Sequence, residues 1–337
     1  ISHSTSVIPL ECTVSDDWNF RGIATVIFEN RNLRLVVLSG KGTDISEITF
    51  KSLDLNLLYR NPWGPKSPKQ VPVVSPHNEI FRDYTGGGWS DIIPNAGVSC
   101  EFLGTKFGLH DETPLLEWSH KILEDKGKEV SVKFWTNLKK YPFHVEKTMM
   151  LNDSNELKIT EAITNNGRHD LPFSWLVHPT FSSKFLDGDS TLNIPCTRIQ
   201  HLSEIENHEK KSWAYPFFVD VDGSSKDVRK LPFSDTSILD DTLILSGLDT
   251  GHYDLANPKL GIRFSLEWDD KIFPNVWYYR SINSQNYPYF GRSQFIAVEP
   301  CTSMHSGLAN QVRYGDARVL QGGESLSTEL TMSVARF

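Results

Sequence analysis

The stretch VSVKFWTNLKKYPFHVEKTMMLNDSNELKITEAI, residues 130–163, sets the expected fold of this chain. Three of its segments, Val130–Trp135, Val145–Leu151 and Leu157–Ile163, alternate apolar with polar residues. A period of two is typical of β-strands with one buried face, because successive side chains point to opposite sides of a sheet. The turn residues NNG at 165–167 end the pattern.

Similar short apolar runs continue on both sides of this stretch. No segment carries an apolar stripe of helical period for more than about two turns, and 18 prolines and 22 glycines interrupt the chain throughout. The pattern predicts an all-β sandwich or barrel in one domain, residues 1–337. The further predicted strands are Gly22–Phe28, Leu33–Leu38, Ile45–Phe50, Leu55–Tyr59, Leu171–Val177, Leu243–Leu245, Ile262–Trp268, Val276–Tyr279, Phe295–Val298 and Ser325–Ala335.

The composition excludes several classes of partner. The chain has 337 residues, a formal net charge of −8, and no basic run longer than two lysines. Nucleic-acid binding normally requires a positively charged face, so no nucleic-acid partner is expected. No apolar run approaches the ~18 residues of a membrane span, so no membrane partner is expected either. The oligomeric state stays open.

Cysteine spacing and the first residues bear on localisation. The cysteines, at positions 12, 100, 196 and 301, form no CxxC motif and no pairing with histidine at zinc-ligand spacing. We therefore expect free thiols, a reducing compartment and a cytoplasmic location. ISHSTSVIPL, residues 1–10, lacks the charged-then-apolar order of a secretion signal, although a signal already removed stays possible.

Three ionisable residues close apolar runs. Glu299 follows FIAV and precedes Pro300, His178 closes FSWLVHP, and His110 closes FGLH. If these strand ends converge, a carboxylate and two imidazoles share one cleft and form an acid–base pair near neutral pH. The alternative is structural, because a histidine at a strand end more often satisfies a local hydrogen bond, and a glutamate before proline more often caps or lies on the surface.

Tryptophans near the same strand ends provide a second signal. Trp89 and Trp277 are candidates for stacking on a sugar, since flat rings pack against apolar sugar faces; the alternative is that tryptophans fill the core. Gly86–Gly88, directly before Trp89, matches no phosphate-binding glycine motif and predicts a turn where backbone approaches a ligand or a strand.

Six motifs in order resemble the aldose 1-epimerase (galactose mutarotase-like) superfamily, from about residue 20 onward. They are YTGGGWSDIIPNAG (84–97), FGLHDETPLLEW (107–118), FSWLVHPTF (173–181), SGLDTGHYDL (246–255), FPNVWYYR (273–280) and FIAVEPCTS (295–303). The resemblance implies a β-sandwich (supersandwich) with an open cleft, a monosaccharide or small sugar derivative as partner, and no cofactor or metal.

The resemblance also implies roles for individual residues. His178 matches the general acid that protonates the sugar ring oxygen, and Glu299 matches the base that takes the proton from the anomeric hydroxyl. His110 matches the histidine on the ring-oxygen side. Asp249 matches a substrate-hydroxyl-binding aspartate, and Trp277 falls near a wall position. We expect an ionised pair, with the two side chains facing each other across a hollow as wide as a pyranose.

One departure from the superfamily and two alternatives complete the expectation. Classical galactose mutarotases carry an arginine in the segment that corresponds to Gly86–Gly97, whereas this segment has none and Arg82 is out of register; a phosphorylated sugar is therefore disfavoured. The first alternative is a non-catalytic carbohydrate-binding protein of the same fold. The second is another sugar-active enzyme; a glycosidase usually needs two flanking carboxylates, and only one acid is well placed here. A metal-dependent enzyme is disfavoured, because the histidines lack ligand spacing.

Overall fold

A computed structural model describes residues 11–69, 79–209, 211–234 and 236–337. The expectation about a secretion signal concerns residues 1–10, which lie outside the described residues. Within the described ranges, no helix is long and apolar enough to cross a membrane. All four cysteines carry free thiols, in agreement with their scattered spacing.

The described chain is built of strands, with three short helices. The helices are α1 (Ile80–Tyr84), α2 (Leu202–Glu206) and α3 (Leu308–Tyr314), and single 3₁₀ turns occupy Lys51–Leu53 and Thr113–Leu115. The strands are β1 (Cys12–Phe20), β2 (Ile23–Glu29), β3 (Leu33–Leu38), β4 (Asp44–Phe50), β5 (Leu55–Asn56), β6 (Trp89–Ile92), β7 (Pro94–Asn95), β8 (Cys100–Phe102), β9 (Thr105–Phe107), β10 (Asp111–Glu112), β11 (Ser119–Glu124), β12 (Lys126–Gly127), β13 (Glu129–Asn137), β14 (Phe143–Asn152), β15 (Glu156–Asn165), β16 (Leu171–Phe173), β17 (Leu176–Ser182), β18 (Thr191–Asn193), β19 (Cys196–His201), β20 (Trp213–Ala214), β21 (Phe217–Val219), β22 (Ser225–Asp227), β23 (Leu239–Leu248), β24 (His252–Asn257), β25 (Ile262–Trp268), β26 (Asn275–Ile282), β27 (Gln294–Cys301), β28 (Arg318–Leu320) and β29 (Ser325–Arg336).

Two antiparallel sheets form a sandwich, and the all-β expectation is confirmed. The larger, thirteen-stranded sheet runs β12-β1-β2-β3-β4-β6-β17-β27-β26-β23-β19-β20, with β5 attached to β4. The eight-stranded sheet runs β11-β13-β14-β15-β29-β25-β24-β18. One apolar core joins them: Val26 and Phe28 of the large sheet belong to the same buried cluster as Val130, Val132 and Phe134 of the small one.

Some strands differ from the expectation for local reasons. β1 was missed because its sequence, CTVSDDWNF, is polar and irregular, with a register shift between Ser15 and Trp18. The apolar run predicted as one strand, Leu171–Val177, divides into two strands. β16 pairs with β28 in a separate two-stranded sheet, and β17 belongs to the thirteen-stranded sheet. β23 is longer than the predicted Leu243–Leu245, because pairing with β26 extends it over ten residues.

Buried charges lie between the two sheets, behind β6. The ammonium group of Lys147 contacts the carboxylate of Asp91, lies 3.0 Å from Glu161 Oε1, and donates to Thr43 Oγ1 at 3.0 Å. Burial, followed by the nearby charge of Asp91, raises the pKa of Glu161 to about 8. Ionisation of Glu161 is therefore much harder in the folded protein than in the unfolded chain.

This raised pKa predicts a pH-dependent stability. Because the folded pKa of Glu161 lies above the unfolded value near 4.5, its protonation stabilises the fold fully at low pH, and this contribution is lost as the pH rises toward 8. Glu161→Gln keeps an oxygen acceptor for Lys147 but removes the titration. The free energy of unfolding of the wild type should fall more steeply between pH 5.5 and 8 than that of the variant, by up to about 1.4 kcal/mol per pH unit.

Urea unfolding across this pH range measures the difference. Glu329→Gln, which removes an exposed carboxylate paired with Lys158 on the neighbouring strand, is the control. Parallel curves for wild type and Glu161→Gln would contradict the assignment.

Candidate active site

A row of four side chains crosses the outer face of the large sheet, away from the core. Ser90 of β6 pairs with His178 of β17, and Trp277 of β26 pairs with Glu299 of β27. These four residues also line one cleft of about 370 Å³. The adjacent strands β17 and β27 therefore bring the predicted acid, His178, and the predicted base, Glu299, together.

The register between β17 and β27 places His178 beside Glu299. Thr180 pairs with Ala297 one step further along, so the same antiparallel register sets His178 opposite Glu299. His178 Nε2 lies 3.4 Å from Glu299 Oε1. The two groups are thus in direct contact, and the expectation of a pyranose-wide hollow between them is wrong: the cleft lies above the pair.

Burial controls the charge of this pair. Desolvation lowers the pKa of His178 to about 4, against smaller raising effects of a backbone hydrogen bond and of Asp91. Desolvation also raises the pKa of Glu299 well above its usual value. The pair therefore favours a neutral imidazole and a protonated carboxyl rather than the ionised pair that the sequence suggested. Both arrangements contain one shared proton, which lies on Glu299 in the neutral form and on His178 in the ionised form.

His110 stands next to the pair on a constrained backbone. Its φ of 49° is in the left-handed region, and its ring packs edge-on against His178 at 5.2 Å between centroids. The backbone N–H of Gly97 donates to His110 Nδ1 at 3.1 Å, which leaves Nε2 of the neutral ring to carry the proton. Burial, followed by the charges of His178 and Arg82, lowers the pKa of His110 well below its usual value, so the ring is neutral.

Aromatic and polar side chains form the rest of the cleft. Trp277 is 4% exposed and donates its indole N–H to the Ser303 carbonyl at 2.8 Å, which fixes the ring beside Glu299. Asp240 lines the cleft and accepts hydrogen bonds from Tyr279 Oη at 2.6 Å and Ser284 Oγ at 2.5 Å. Further polar residues that line the cleft include Asn61, Thr85, Thr180, Thr242, Asn286 and Ser306.

Asp249 does not reach the cleft. It is exposed, one residue beyond the end of β23, whereas Asp240 lies at the start of the same strand, about 30 Å away along an extended chain. Asp240 and Thr242 share the outer face of β23 because they are two residues apart. The residues ILDDTLIL (238–245) do not alternate apolar with polar side chains, so no signal in the sequence singles out Asp240.

Trp89 does not reach the cleft either. It is 1% exposed, belongs to the core between the sheets, and donates its indole N–H to Asp91 Oδ1 at 3.3 Å. Its neighbour Ser90 faces the cleft instead, because adjacent residues of a strand point to opposite faces. The core alternative for this tryptophan is therefore the right one.

Arg82 of α1 lines the cleft, although the sequence suggested that it was out of register. Its Nε lies 2.8 Å from Glu79 Oε2, and more than a third of its side chain is exposed. The absence of an arginine from Gly86–Gly97 therefore no longer argues against a charged sugar. Among the described residues, no group of three or more His, Cys, Asp or Glu side chains could hold a metal ion.

Comparison with family models places the chain. The model described as "Domain of unknown function (DUF4432)" matches residues 20–334. The chain belongs to the DUF4432 family. No curated protein matches the sequence of this DUF4432 protein significantly.

Solved structures of low sequence identity share its fold. A "putative aldose 1-epimerase" from Klebsiella pneumoniae subsp. pneumoniae MGH 78578 is 11% identical, with a TM-score of 0.76 over 96% of this chain and 83% of the other. A second "putative aldose 1-epimerase", from Escherichia coli K12, is 16% identical, with a TM-score of 0.61 over 94% and 100%. A "galactose mutarotase related enzyme" from Lactobacillus acidophilus is 15% identical, with a TM-score of 0.61 over 92% and 97%. The expected galactose-mutarotase-like sandwich is confirmed, and at these identities the likeness concerns the fold.

The support of His110 by Gly97 can be tested in this DUF4432 protein. A Cβ at Gly97 would lie 2.1 Å from Ser306 Oγ, and the φ of Gly97 is +92°. Gly97→Ala should therefore destabilise the fold, by about 1–3 kcal/mol, and displace His110. Gly104→Ala is the matched control, because Gly104 has φ +75° but nothing within 4 Å of an added Cβ.

Urea unfolding and the ¹⁵N shifts of the His110 ring report both effects. Equal destabilisation by the two substitutions, with unchanged His110 shifts, would show that the backbone conformation alone matters and that the Ser306 contact does not.

Proposed function

We propose that this protein is an aldose 1-epimerase that interconverts the α and β anomers of a free sugar. The observation that carries the proposal is the contact between His178 and Glu299 at the floor of the cleft, 3.4 Å apart, with His110 beside them. An acid and a base that share one proton are the groups required for ring opening and closure, and no cofactor is needed.

The proposed reaction consists of two proton transfers in each direction. With the pair ionised, Glu299 takes the proton of the anomeric hydroxyl while His178 delivers its proton to the ring oxygen. The C1–O5 bond breaks and leaves an open-chain aldehyde, a neutral imidazole and a protonated carboxyl. After rotation about C1–C2, His178 takes back the O5 proton, O5 attacks the other face of C1, and Glu299 returns its proton to O1.

The direct contact of the pair suits this reaction. The two oxygens that exchange protons, O1 and O5, are both bonded to C1, so the acid and the base must approach one carbon rather than opposite sides of a ring. The neutral form favoured by burial corresponds to the open-chain stage. The ionised form, needed for the closed ring, differs from it by one proton shift within the pair.

The neighbouring residues take binding roles in this proposal. His110, whose Nε2 carries the proton, donates a hydrogen bond on the ring-oxygen side. Trp277 packs against the sugar beside Glu299. Asp240, at the other end of the cleft, accepts hydrogen bonds from sugar hydroxyls, the role that the sequence assigned to Asp249.

The partner in this proposal is a monosaccharide or a small derivative. A non-phosphorylated sugar stays a prediction. Comparing the turnover of a hexose with that of its 6-phosphate, in the wild type and in Arg82→Gln, tests it.

The single domain and the cytoplasmic location also stay predictions. The four free thiols support a reducing compartment.

Substitution of the pair tests the reaction most simply. Glu299→Gln removes the base and keeps the side-chain shape, and His178→Asn removes the acid; each should reduce turnover about 10²–10⁴-fold. Two-dimensional exchange NMR between the α and β anomeric protons measures turnover across a panel of free aldoses. Glu267→Gln, an exposed residue of the other sheet, is the control.

Two outcomes would contradict the proposal. Wild-type turnover by Glu299→Gln on a confirmed substrate would exclude Glu299 as the base. Saturable sugar binding without any acceleration of anomer exchange would instead favour the non-catalytic carbohydrate-binding protein.

The pH profile tests the protonation of the pair. Activity requires one shared proton, and a second proton binds only when the pH falls toward the lowered His178 pKa of about 4. The decline of kcat/KM on the acid side should therefore lie near pH 4. A decline centred near pH 6.5, the ordinary value for histidine, would contradict the buried neutral pair.

A further inference from the structure

The segment between β26 and β27, residues 283–293, crosses from one wall of the cleft to the other; we name it the bridging segment. Tyr287 Oη donates to Asp83 Oδ1 of α1 at 2.5 Å. The Tyr289 ring lies 5.9 Å from the Trp63 ring, and the Arg292 guanidinium lies 5.7 Å from the same ring. α1 directly precedes β6, and β17 separates β6 from β27, so the segment passes over the end of β17.

The base of the bridging segment lies four residues along β27 from Glu299. This base is a packed group of rings, in which Phe295 stacks on Tyr59 at 4.4 Å and contacts Tyr289 at 5.5 Å. Phe295 precedes Glu299 by four residues on β27, which corresponds to about 13 Å along an extended strand. This distance separates the end of the cleft that holds the acid–base pair from the end that holds the base of the bridging segment.

The cleft is also bounded on the opposite side of the pair. Two residues along the strands from Glu299 and His178, the outer face becomes apolar and buried. Leu176, Cys301 and Ile92 belong to one cluster there. Leu202 and Ser306 line the cleft at this side. A sugar whose C1 lies at the pair therefore extends toward the bridging segment and Asp240.

We propose that the Tyr287–Asp83 contact closes the far end of the cleft and restricts the substrate to monosaccharides. C4 lies across a pyranose ring from C1, so a glycosyl group on O4 would meet the bridging segment. This inference rests on the proposed function, and it names Tyr287 and Asp83 as specificity-determining residues.

Paired substrates test this selection. The probes are D-glucose with maltose, D-galactose with 4-O-β-D-galactobiose, and D-mannose with 4-O-β-D-mannobiose, measured by anomeric exchange NMR. In each pair the reducing ring is the same, and only the glycosyl group on O4 differs. For the sugar that turns over, wild-type kcat/KM should be at least tenfold lower for the disaccharide than for the monosaccharide.

Substitutions in the Tyr287–Asp83 contact should lower the ratio of kcat/KM for the monosaccharide to kcat/KM for the disaccharide. Tyr287→Ala and Asp83→Ala should each reduce this ratio at least threefold, mainly through a lower KM for the disaccharide. Tyr287→Phe, which keeps the ring but loses the hydrogen bond, should act like Asp83→Ala, and the two together should be no stronger than either alone, because they break the same bond. Asp83→Asn, which keeps an acceptor oxygen, should retain the wild-type ratio; thermal unfolding checks that each variant is folded.

The outcomes separate the two proposals. Equal turnover of monosaccharide and disaccharide by the wild type would overturn the selection and leave the epimerase function standing. An unchanged ratio in folded Tyr287→Ala and Asp83→Ala would overturn the assignment of these two residues. Absence of accelerated exchange for every monosaccharide would overturn the epimerase function, and this inference with it.

Discussion

The pairing register between β17 and β27 is the constraint on which the site depends. It sets His178 opposite Glu299 on the outer face of the large sheet, while the alternate residues of both strands face the core. A shift of one strand by a single residue would reverse which of its side chains face the cleft and which face the core. Because Val177 and Val298 are fully buried in that core, packing holds the register that brings the two ionisable groups together.

The same packing determines the chemistry available to the pair. Removing a carboxyl and an imidazole from water disfavours their charged forms: the pKa of Glu299 rises and the pKa of His178 falls, so the uncharged form of each group is favoured. The ionised and neutral arrangements then differ only in which group holds one proton. A pair of this kind can give and take protons at neighbouring oxygens without a net gain or loss of charge. His110 adds a neutral donor whose tautomer is set by the Gly97 backbone.

Much of the fold, and the centre of the site, follow from the sequence. Alternation of apolar with polar residues in 130–163 predicts strands that the structure contains, because one face of that sheet is buried and the other is solvated. The recurrence of an ionisable group at the end of an apolar run brought out His110, His178 and Glu299, which the cleft unites. This pattern works because a buried ionisable group needs a specific reason to be there.

The periphery of the site depends on information that one sequence does not carry. Asp240 and Asp249 both flank the same apolar run, and only the full length of β23 decides which end meets the cleft. Trp89 and Ser90 differ only in the parity of a four-residue strand. Arg82 enters the cleft from α1, a single helical turn whose position is set by tertiary contacts such as the packing of Phe81 against His110.

The most direct test of the account is a crystal structure of the protein soaked with a monosaccharide that it turns over. The account predicts that C1 lies over the pair, with O5 within hydrogen-bond distance of His178 and O1 within the same distance of Glu299. A sugar bound in the cleft with C1 toward Asp240 and its far end at the pair, or bound elsewhere on the molecule, would contradict it.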